Sequence, residues 1–281
     1  MKKNFIAIML FFCLLFIWFT ATGCNIQVGC CVPWVKYEKI VHLSGPMAAG
    51  SLFSAKTQDG SIKVAGGDVT DCNVTATIVA RAGSDVKARE LADKTKLSLE
   101  RLGSGLTVKI ERPLRLNQSV DVHLDVKVPT NCDMKLITRD GDITAENIKG
   151  AIDVKTGDGT IAMSRVGEKI KARSFDGKIR IQENIGDINA RSFDGRITVA
   201  YSKDAGGVCD VSLITNDGTI DLTAPENFSA KAEISTNDGL IQSDLPIQVV
   251  GKLGKKRIKG VIGTGQGRLY VKSGDGTIRI R

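Results

Sequence analysis

Three consecutive segments of 18 residues decide the fold: TRDGDITAENIKGAIDVK (138–155), TGDGTIAMSRVGEKIKAR (156–173) and SFDGKIRIQENIGDINAR (174–191). Each begins with a serine or threonine, has Asp-Gly two residues later, and has an isoleucine two residues beyond the glycine. Self-similarity at a short fixed period is the signature of a repeat architecture. The segments therefore predict a stack of equivalent structural units.

The Asp-Gly pair recurs outside these segments and marks each repeat. An early copy is Asp59-Gly60, and later intervals of 23, 21 and 37 residues indicate loops inserted into the final repeats. From residue 140 onward the pairs are Asp140-Gly141, Asp158-Gly159, Asp176-Gly177, Asp194-Gly195, Asp217-Gly218, Asp238-Gly239 and Asp275-Gly276. We expect each pair to form a tight structural corner, because glycine tolerates positive φ and aspartate accepts hydrogen bonds from backbone N–H groups two residues on.

Apolar residues within each repeat form two columns nine residues apart. One contains Ile143, Ile161, Ile179 and Ile197, and the other contains Ile152, Ile170 and Ile188. Alternation around each isoleucine, as in Ile179-Arg180-Ile181, is typical of a strand with one buried face. Two short strands and two turns per 18 residues predict an all-β, single-stranded β-solenoid of about 18 residues per coil, with coils about 4.8 Å apart.

The first residues read as an export signal. Lys2 and Lys3 precede an apolar run over residues 5–19, which is short for a membrane-spanning helix. Small residues before Cys24 resemble the lipobox of bacterial lipoproteins, although Ala21 stands where leucine is usual. We predict a lipoprotein-type signal peptide over 1–23, lipidation of Cys24 and a membrane partner through that anchor. An uncleaved anchor and ordinary export remain the alternatives.

The remaining chain divides into three parts. Residues 24–50 are predicted to be a tether and entry segment, and 51–281 the solenoid domain, with a strand–helix–strand part over 51–135 and the Asp-Gly repeats over 136–281. The N-terminal part has predicted strands near 72–80, 97–101, 105–111 and 119–128. Ser84 is a candidate N-cap for one short helix ending near Lys94. We expect this helix to cover an end of the solenoid, which otherwise exposes an open edge.

Composition excludes several kinds of site. With two histidines and few aromatic residues, haem pockets and nucleic-acid stacking platforms are disfavoured, and we predict no cofactor and no nucleic-acid partner. No Cys-x-x-Cys occurs, so zinc and thioredoxin-like sites lack their spacing. Disulfides are compatible with export, but the pairing of the later cysteines stays open; these are Cys30, Cys31, Cys72, Cys132 and Cys209.

One candidate ligand site is a basic stripe, here called the cation column: Lys155, Arg173 and Arg191, each three residues before an Asp-Gly corner. The stripe predicts affinity for an anionic ligand, and the net charge of +8 agrees with it. The alternative is that the neighbouring aspartates offset these like charges. Phe175 and Phe193, beside the same corner, fit either corner packing or an exposed platform for sugar rings.

Two further patterns suggest ligands less strongly. Aspartates one coil apart could hold structural calcium, but the second half of each repeat is poor in aspartate, unlike calcium β-rolls. Several lysines over 252–259 precede the glycine-rich stretch 263–267, which lacks the Walker lysine and its following hydroxyl residue. We interpret this segment as a loop or hairpin between coils, with an anion site as the alternative.

The succession of motifs resembles a known family. Val126-Lys127-Val128-Pro129, then 138–143 (TRDGDI), then repeated Ser/Thr-x-Asp-Gly-x-Ile units, is similar to the bacterial putative-adhesin β-repeat family, a domain of unknown function akin to the adhesin head GIN domain. The strand–helix–strand of 72–111 and the late segment 257–263 are similar too. The resemblance spans residues 50–281. It implies a right-handed β-solenoid, a location in the bacterial cell envelope and an adhesion role, and it brings no catalytic residues.

Three classes of function follow. The first is an exported, lipid-anchored envelope protein that acts as a non-catalytic binding or adhesion surface, with a glycan or an envelope protein as partner. The second is a polysaccharide-active β-helix enzyme, which needs a groove of clustered acids or a basic residue acting as the base. The third is an envelope scaffold or signalling partner. Because the acids fall mostly at corners, we expect no enzyme activity.

Overall fold

The structure is a computed structural model that describes residues 34–113, 118–250 and 254–281. The predicted signal peptide and Cys24 lie outside the described residues. Every element below belongs to one compact unit, residues 34–281.

The described part of the chain is almost entirely strand. Its one described helix is α1 (Asp85–Lys94). The described strands, in chain order, are β1 (Val35–Pro46), β2 (Leu52–Lys56), β3 (Ile62–Gly67), β4 (Asp71–Ala82), β5 (Lys96–Leu102), β6 (Gly105–Glu111), β7 (Ser119–Pro129), β8 (Asp133–Ile137), β9 (Ile143–Ile148), β10 (Ile152–Lys155), β11 (Ile161–Val166), β12 (Lys169–Arg173), β13 (Ile179–Asn184), β14 (Asp187–Arg191), β15 (Ile197–Tyr201), β16 (Asp210–Asp217), β17 (Ile220–Thr223), β18 (Ala230–Asp238), β19 (Ile241–Ser243), β20 (Ile247–Val249), β21 (Arg257–Ile262), β22 (Gly267–Asp275) and β23 (Ile278–Ile280).

The strands form two long, mostly parallel sheets. Sheet A has the order β1-β4-β7-β3-β9-β11-β13-β15-β17-β23-β19, and sheet B has the order β20-β21-β18-β22-β16-β14-β12-β10-β8-β2-β6-β5. Each repeat contributes one strand to each sheet, so the chain alternates between the sheets and climbs one strand position per repeat. This arrangement is a solenoid-like stack.

The strand register confirms the predicted alignment of repeats. Ile179 pairs with Ile161 on one side and with Ile197 on the other, and Ile170 pairs with both Ile152 and Ile188. Each of these residues is at most 2% exposed. Buried side chains from both sheets form one continuous apolar cluster. A single coil cannot bury its apolar face alone, so stacking supplies the core.

The last repeat does not follow chain order. β22 lies between β16 and β18 and pairs in parallel with both, and β23 likewise lies between β17 and β19. The interval of 37 residues therefore holds more than a loop. It contains β20 and β21, which add antiparallel strands beyond β18. The predicted loop or hairpin is therefore an antiparallel strand pair, and it lies at the edge of sheet B instead of between coils. These strands cover the sheet B edge that β18 would otherwise expose.

The N-terminal end differs from the prediction in one respect. The segment 24–50, predicted as a tether, contains the strand β1, which pairs antiparallel with β4 over all twelve of its residues. The predicted helix is confirmed: the Ser84 side chain accepts a hydrogen bond from the Lys87 N–H at 3.4 Å. The helix buries Ala88, Leu91 and Ala92 and contacts β1 and β4. It thus lies at the end of sheet A, as expected.

Candidate functional site

The Asp-Gly pairs lie at the turn that leads from a sheet B strand into the next sheet A strand. Their glycines allow close approach between coils. A Cβ at Gly177 would overlap the carbonyl oxygen of Gly159, and the same clash repeats at Gly159 against Gly141 and at Gly195 against Gly177. Positive φ is not the general reason for glycine, since among these corners only Gly60, Gly218 and Gly276 have it. Our expectation of positive φ at every corner is wrong.

Hydroxyl groups, rather than the aspartates, satisfy the corner backbone. The Ser192 hydroxyl donates to the Gly177 carbonyl oxygen at 3.1 Å, and Thr156 donates to Gly141 at 3.0 Å. Equivalent bonds, to the corner glycine carbonyl oxygen of the adjacent coil, are made by Thr138, Thr215, Ser273 and Thr236. Ser174 instead donates to the Gly157 carbonyl oxygen at 3.2 Å. All these hydroxyl side chains are buried. Sequence reasoning missed this role, although the serine or threonine recurs two residues before each aspartate.

The corner aspartates form an exposed row of their own. We call Asp158, Asp176 and Asp194 the aspartate column. In the part of the chain that the structure describes, none of the three side chains accepts a hydrogen bond or forms an ion pair. The predicted bond from the backbone N–H to the aspartate is therefore absent here. Reduced hydration beside the neighbouring coils, reinforced by the charges of Asp217 and Asp176, raises the pKa of the Asp194 carboxyl. The carboxylates repel one another, and the backbone does not offset this repulsion.

The cation column is continuous and unpaired. Lys155 pairs in register with Arg173, and Arg173 with Arg191, on the adjacent parallel strands β10, β12 and β14. All three side chains are exposed. No described carboxylate forms an ion pair with any of them, whereas Arg139 at the previous corner pairs with Asp140 at 2.9 Å. The alternative in which the neighbouring aspartates neutralise these cations thus finds no support in the described contacts.

The rings of Phe175 and Phe193, beside this column, stack on each other and are exposed to solvent. Their ring centroids are 5.0 Å apart and their planes differ by 3°. Phe175 is 56% exposed and Phe193 is 47% exposed. Backbone hydrogen bonds from Phe193 N to the Phe175 carbonyl and from Phe175 N to the Gly157 carbonyl place them in one column with Gly157. Gly157 carries no ring, so the aromatic stack ends at Phe175 on this side; a Cβ at Gly157 would lie 2.5 Å from the Arg139 carbonyl oxygen.

Ser61, His123 and Asp142 have the composition of a catalytic triad, but they are not arranged in the order that a triad requires. His123 Nδ1 lies 3.0 Å from the Ser61 hydroxyl and accepts the Ser61 backbone N–H at 3.2 Å. On the other side of Ser61 the neighbouring strand carries Asp142, whose carboxylate accepts the Thr160 N–H. A nucleophilic triad places the histidine between serine and acid, whereas here the serine is in the middle. Sequence reasoning did not identify this group, because its members are distant in the chain.

A cavity of about 460 Å³ is lined by two acidic side chains, but both of them are held in ion pairs. Its lining comprises Lys56, Thr57, Gln58, Asp59, Ile110, Glu111, Arg112 and Val122. The Arg112 guanidinium donates to the Asp59 carboxylate at 3.1 Å, which neutralises the charge nearest the cavity. The second acid of the lining, Glu111, pairs with Lys109 at 3.1 Å, so neither carboxylate of the cavity is unpaired. The polysaccharide-active alternative therefore gains no support from this cavity.

The described residues contain no cluster of metal ligands, and their cysteines are buried. Within residues 34–113, 118–250 and 254–281, no three histidine, cysteine or acidic side chains come together to hold a metal ion. Cys72, Cys132 and Cys209 are buried free thiols. Burial raises the pKa of both Cys72 and Cys132 to about 12. Cys30 and Cys31 lie outside the described residues.

The lysine-rich segment near the C-terminus is partly neutralised. Arg257 and Lys259, on β21, both reach the Glu233 carboxylate, at 2.7 and 3.3 Å. Lys256 pairs with Asp238 at 3.3 Å. Residues 251–253 are not among those described. This pairing leaves the cation column as the stronger candidate for an anion. No helix among the described residues is long and apolar enough to span a membrane.

Comparisons with known proteins place the chain in a family. Solved structures similar to it include a putative cell adhesion protein of Clostridium sporogenes (13% identity, 88% of this chain and 98% of the other, TM-score 0.35) and a putative adhesin of Bacteroides fragilis (11%, 86% and 97%, TM-score 0.35). No curated protein matches. The Toastrack DUF4097 family profile matches residues 32–183 and 164–281, which together span most of the chain. The chain therefore belongs to the Toastrack DUF4097 family.

Proposed function

We propose that this protein is an exported, lipid-anchored component of the bacterial cell envelope that acts as a non-catalytic binding or adhesion surface. One observation carries the proposal: the exposed cation column, with its stacked phenylalanines, has no partner among the described residues. Exposed charges of one sign aligned on a rigid scaffold raise the local concentration of an oppositely charged partner. Exposed apolar rings mark interaction sites on soluble domains.

The fold suits a surface role. Parallel strands hold the column residues at one coil spacing, so the surface repeats along the stack without a deep pocket. We infer right-handed winding with about 18 residues per coil, because crossovers between parallel strands are right-handed in nearly all proteins. An extended, regular surface favours contact with a polymer or another protein over the binding of a small molecule. A glycan and an envelope protein are the partners that fit.

The location rests on the sequence and on the family. The apolar run of residues 5–19 and the small residues before Cys24 support export and lipidation, and adhesins act at the cell surface. Palmitate labelling of the full chain tests the anchor. We expect labelled protein in the membrane fraction and loss of the label in Cys24→Ala. Unchanged labelling of Cys24→Ala would refute the anchor.

The binding role is tested with isolated bacterial cell envelopes. The full chain, kept soluble with detergent and fluorescently labelled, is mixed with envelopes and sedimented over a range of concentrations. We expect saturable co-sedimentation and no release of glycan fragments into the supernatant. Absence of saturable binding contradicts the proposal. Steady release of fragments that depends on one acidic residue would favour the enzyme alternative instead.

A further inference from the structure

We propose that the corner around Phe175 and Phe193 binds a linear acidic polysaccharide, of the polyuronate class, lying along the stack of coils. This inference rests on the proposed binding function and names its ligand. Three exposed rows meet at this corner and are here called the three-row site: the cation column, the phenylalanine pair and the aspartate column. Each row suits a different part of such a polymer.

The cation column suits the carboxylates. Lys155, Arg173 and Arg191 succeed one another on adjacent strands, which repeat about every 4.8 Å. A carboxylate accepts two parallel N–H bonds from an arginine, and charge-assisted bonds of this kind are stronger than neutral ones. With no described carboxylate of the protein paired to the column, an incoming anion displaces no internal partner.

The phenylalanine pair suits the sugar rings. The C–H-bearing face of a pyranose packs against the face or edge of an aromatic ring. The two rings are parallel at 5.0 Å, and each is about half exposed. Phe175 is the last ring of the stack on the Gly157 side, since Gly157 carries no ring. Charge alone does not require such rings, so a bare polyanion leaves this row unused.

The aspartate column suits the hydroxyl groups. Asp176 and Asp194 immediately follow the two phenylalanines, and their carboxylates have no hydrogen-bond donor among the described residues. A carboxylate is an acceptor only, so it attracts hydroxyl donors and repels phosphate. A ligand must therefore present acid groups to one row and hydroxyl groups to another. A polyuronate does both, whereas polyphosphate, nucleic acid and anionic lipid headgroups present mainly acid groups.

The experiment is isothermal titration of the full chain in detergent solution with four probes. They are polygalacturonate, an uncharged polysaccharide (dextran), inorganic polyphosphate, and phosphatidylglycerol in mixed micelles with the same detergent. We expect polygalacturonate to bind most tightly. Arg173→Gln/Arg191→Gln should weaken binding about tenfold or more, because each charge-assisted bond contributes more than a neutral one. Phe175→Ala/Phe193→Ala should weaken it too, and this loss should persist at high salt, which screens charge but not ring contact.

A matched variant controls for net charge. Lys63→Gln/Lys127→Gln removes two exposed lysines of sheet A that have no described ion pair, and it should bind polygalacturonate as the unaltered protein does. Equal loss in this control would overturn the inference, and so would no loss in the arginine variant. Binding of polyphosphate or phosphatidylglycerol micelles as tightly as polygalacturonate would overturn it too. If the protein binds envelopes but none of the four probes, the inference fails while the proposed function stands. If it binds neither, both fail.

Discussion

The substitution Gly177→Ala tests the claim that the coils touch at their corners. The new Cβ would lie well inside 3.0 Å of the Gly159 carbonyl oxygen and 2.5 Å from the Ser174 hydroxyl oxygen. The first of these atoms is backbone, so the coil itself has to move. Overpacking of this kind costs about 1–3 kcal/mol. The shift also disturbs the bond from Ser192 to the Gly177 carbonyl, at about 1 kcal/mol.

The effect of Gly177→Ala on the unfolded chain opposes this loss of stability. Alanine reduces its conformational freedom, which stabilises the folded state by about 0.4–1 kcal/mol. The net expectation for Gly177→Ala is a loss of about 2 kcal/mol in the free energy of unfolding. Gly206→Ala is the matched control, because a Cβ there meets nothing within 4 Å and its φ is not positive. This variant should gain the unfolded-state contribution alone. Urea denaturation measures both, and equal stability of the two variants would refute the close-contact explanation.

Three further predictions concern the core, the corner charges and the thiols. Ile179→Ala should lower the free energy of unfolding by about 2–5 kcal/mol, because the Ile179 side chain is 1% exposed. Ile185→Ala, at a side chain that is 51% exposed, should change the urea midpoint little. Similar losses in the two variants would contradict the assigned burial. Because the pKa of Asp194 is raised in the folded protein, ionisation of this carboxyl lowers the stability as pH rises through that pKa. Asp194→Asn should therefore stabilise the protein near pH 7 and not near pH 3. Urea midpoints without this gain would contradict the repulsion within the aspartate column. Cys72 and Cys132, buried with pKa values of about 12, should react with iodoacetamide only after unfolding, and labelling of either in the native protein, detected by mass spectrometry, would contradict their burial.

The repeat period made the stack predictable. A column such as Ile161, Ile179 and Ile197 follows from counting 18 residues, because equivalent positions in successive coils must pair. Helix α1 was also predictable, since its cap at Ser84 is local chemistry. The position of the last coil was not. β22 carries the same Asp-Gly motif as the others, and no motif encodes the fact that it pairs with both β16 and β18.

The positions of the Asp-Gly corners were predictable from the sequence, whereas the reason for their glycines was not. Glycine at Gly177 suggests positive φ when the chain is read locally, whereas the cause is the neighbouring coil, which only the tertiary structure brings near. The same holds for the ligand site. The sequence shows that Arg173 and Arg191 repeat, but only the described contacts show that the aspartates next to them leave them unpaired. Exposure of the stacked Phe175 and Phe193 rings likewise depends on which way the corner faces.

Co-sedimentation with bacterial envelopes shows whether the cation column forms the binding face of the protein. The variant Lys155→Gln/Arg173→Gln/Arg191→Gln removes the column. Its control, Lys63→Gln/Lys127→Gln/Lys149→Gln, removes the same charge from exposed lysines that have no described ion pair. We predict that the column variant loses saturable envelope binding and that the control retains it. Equal binding by the two variants would show that the cation column is not the binding face.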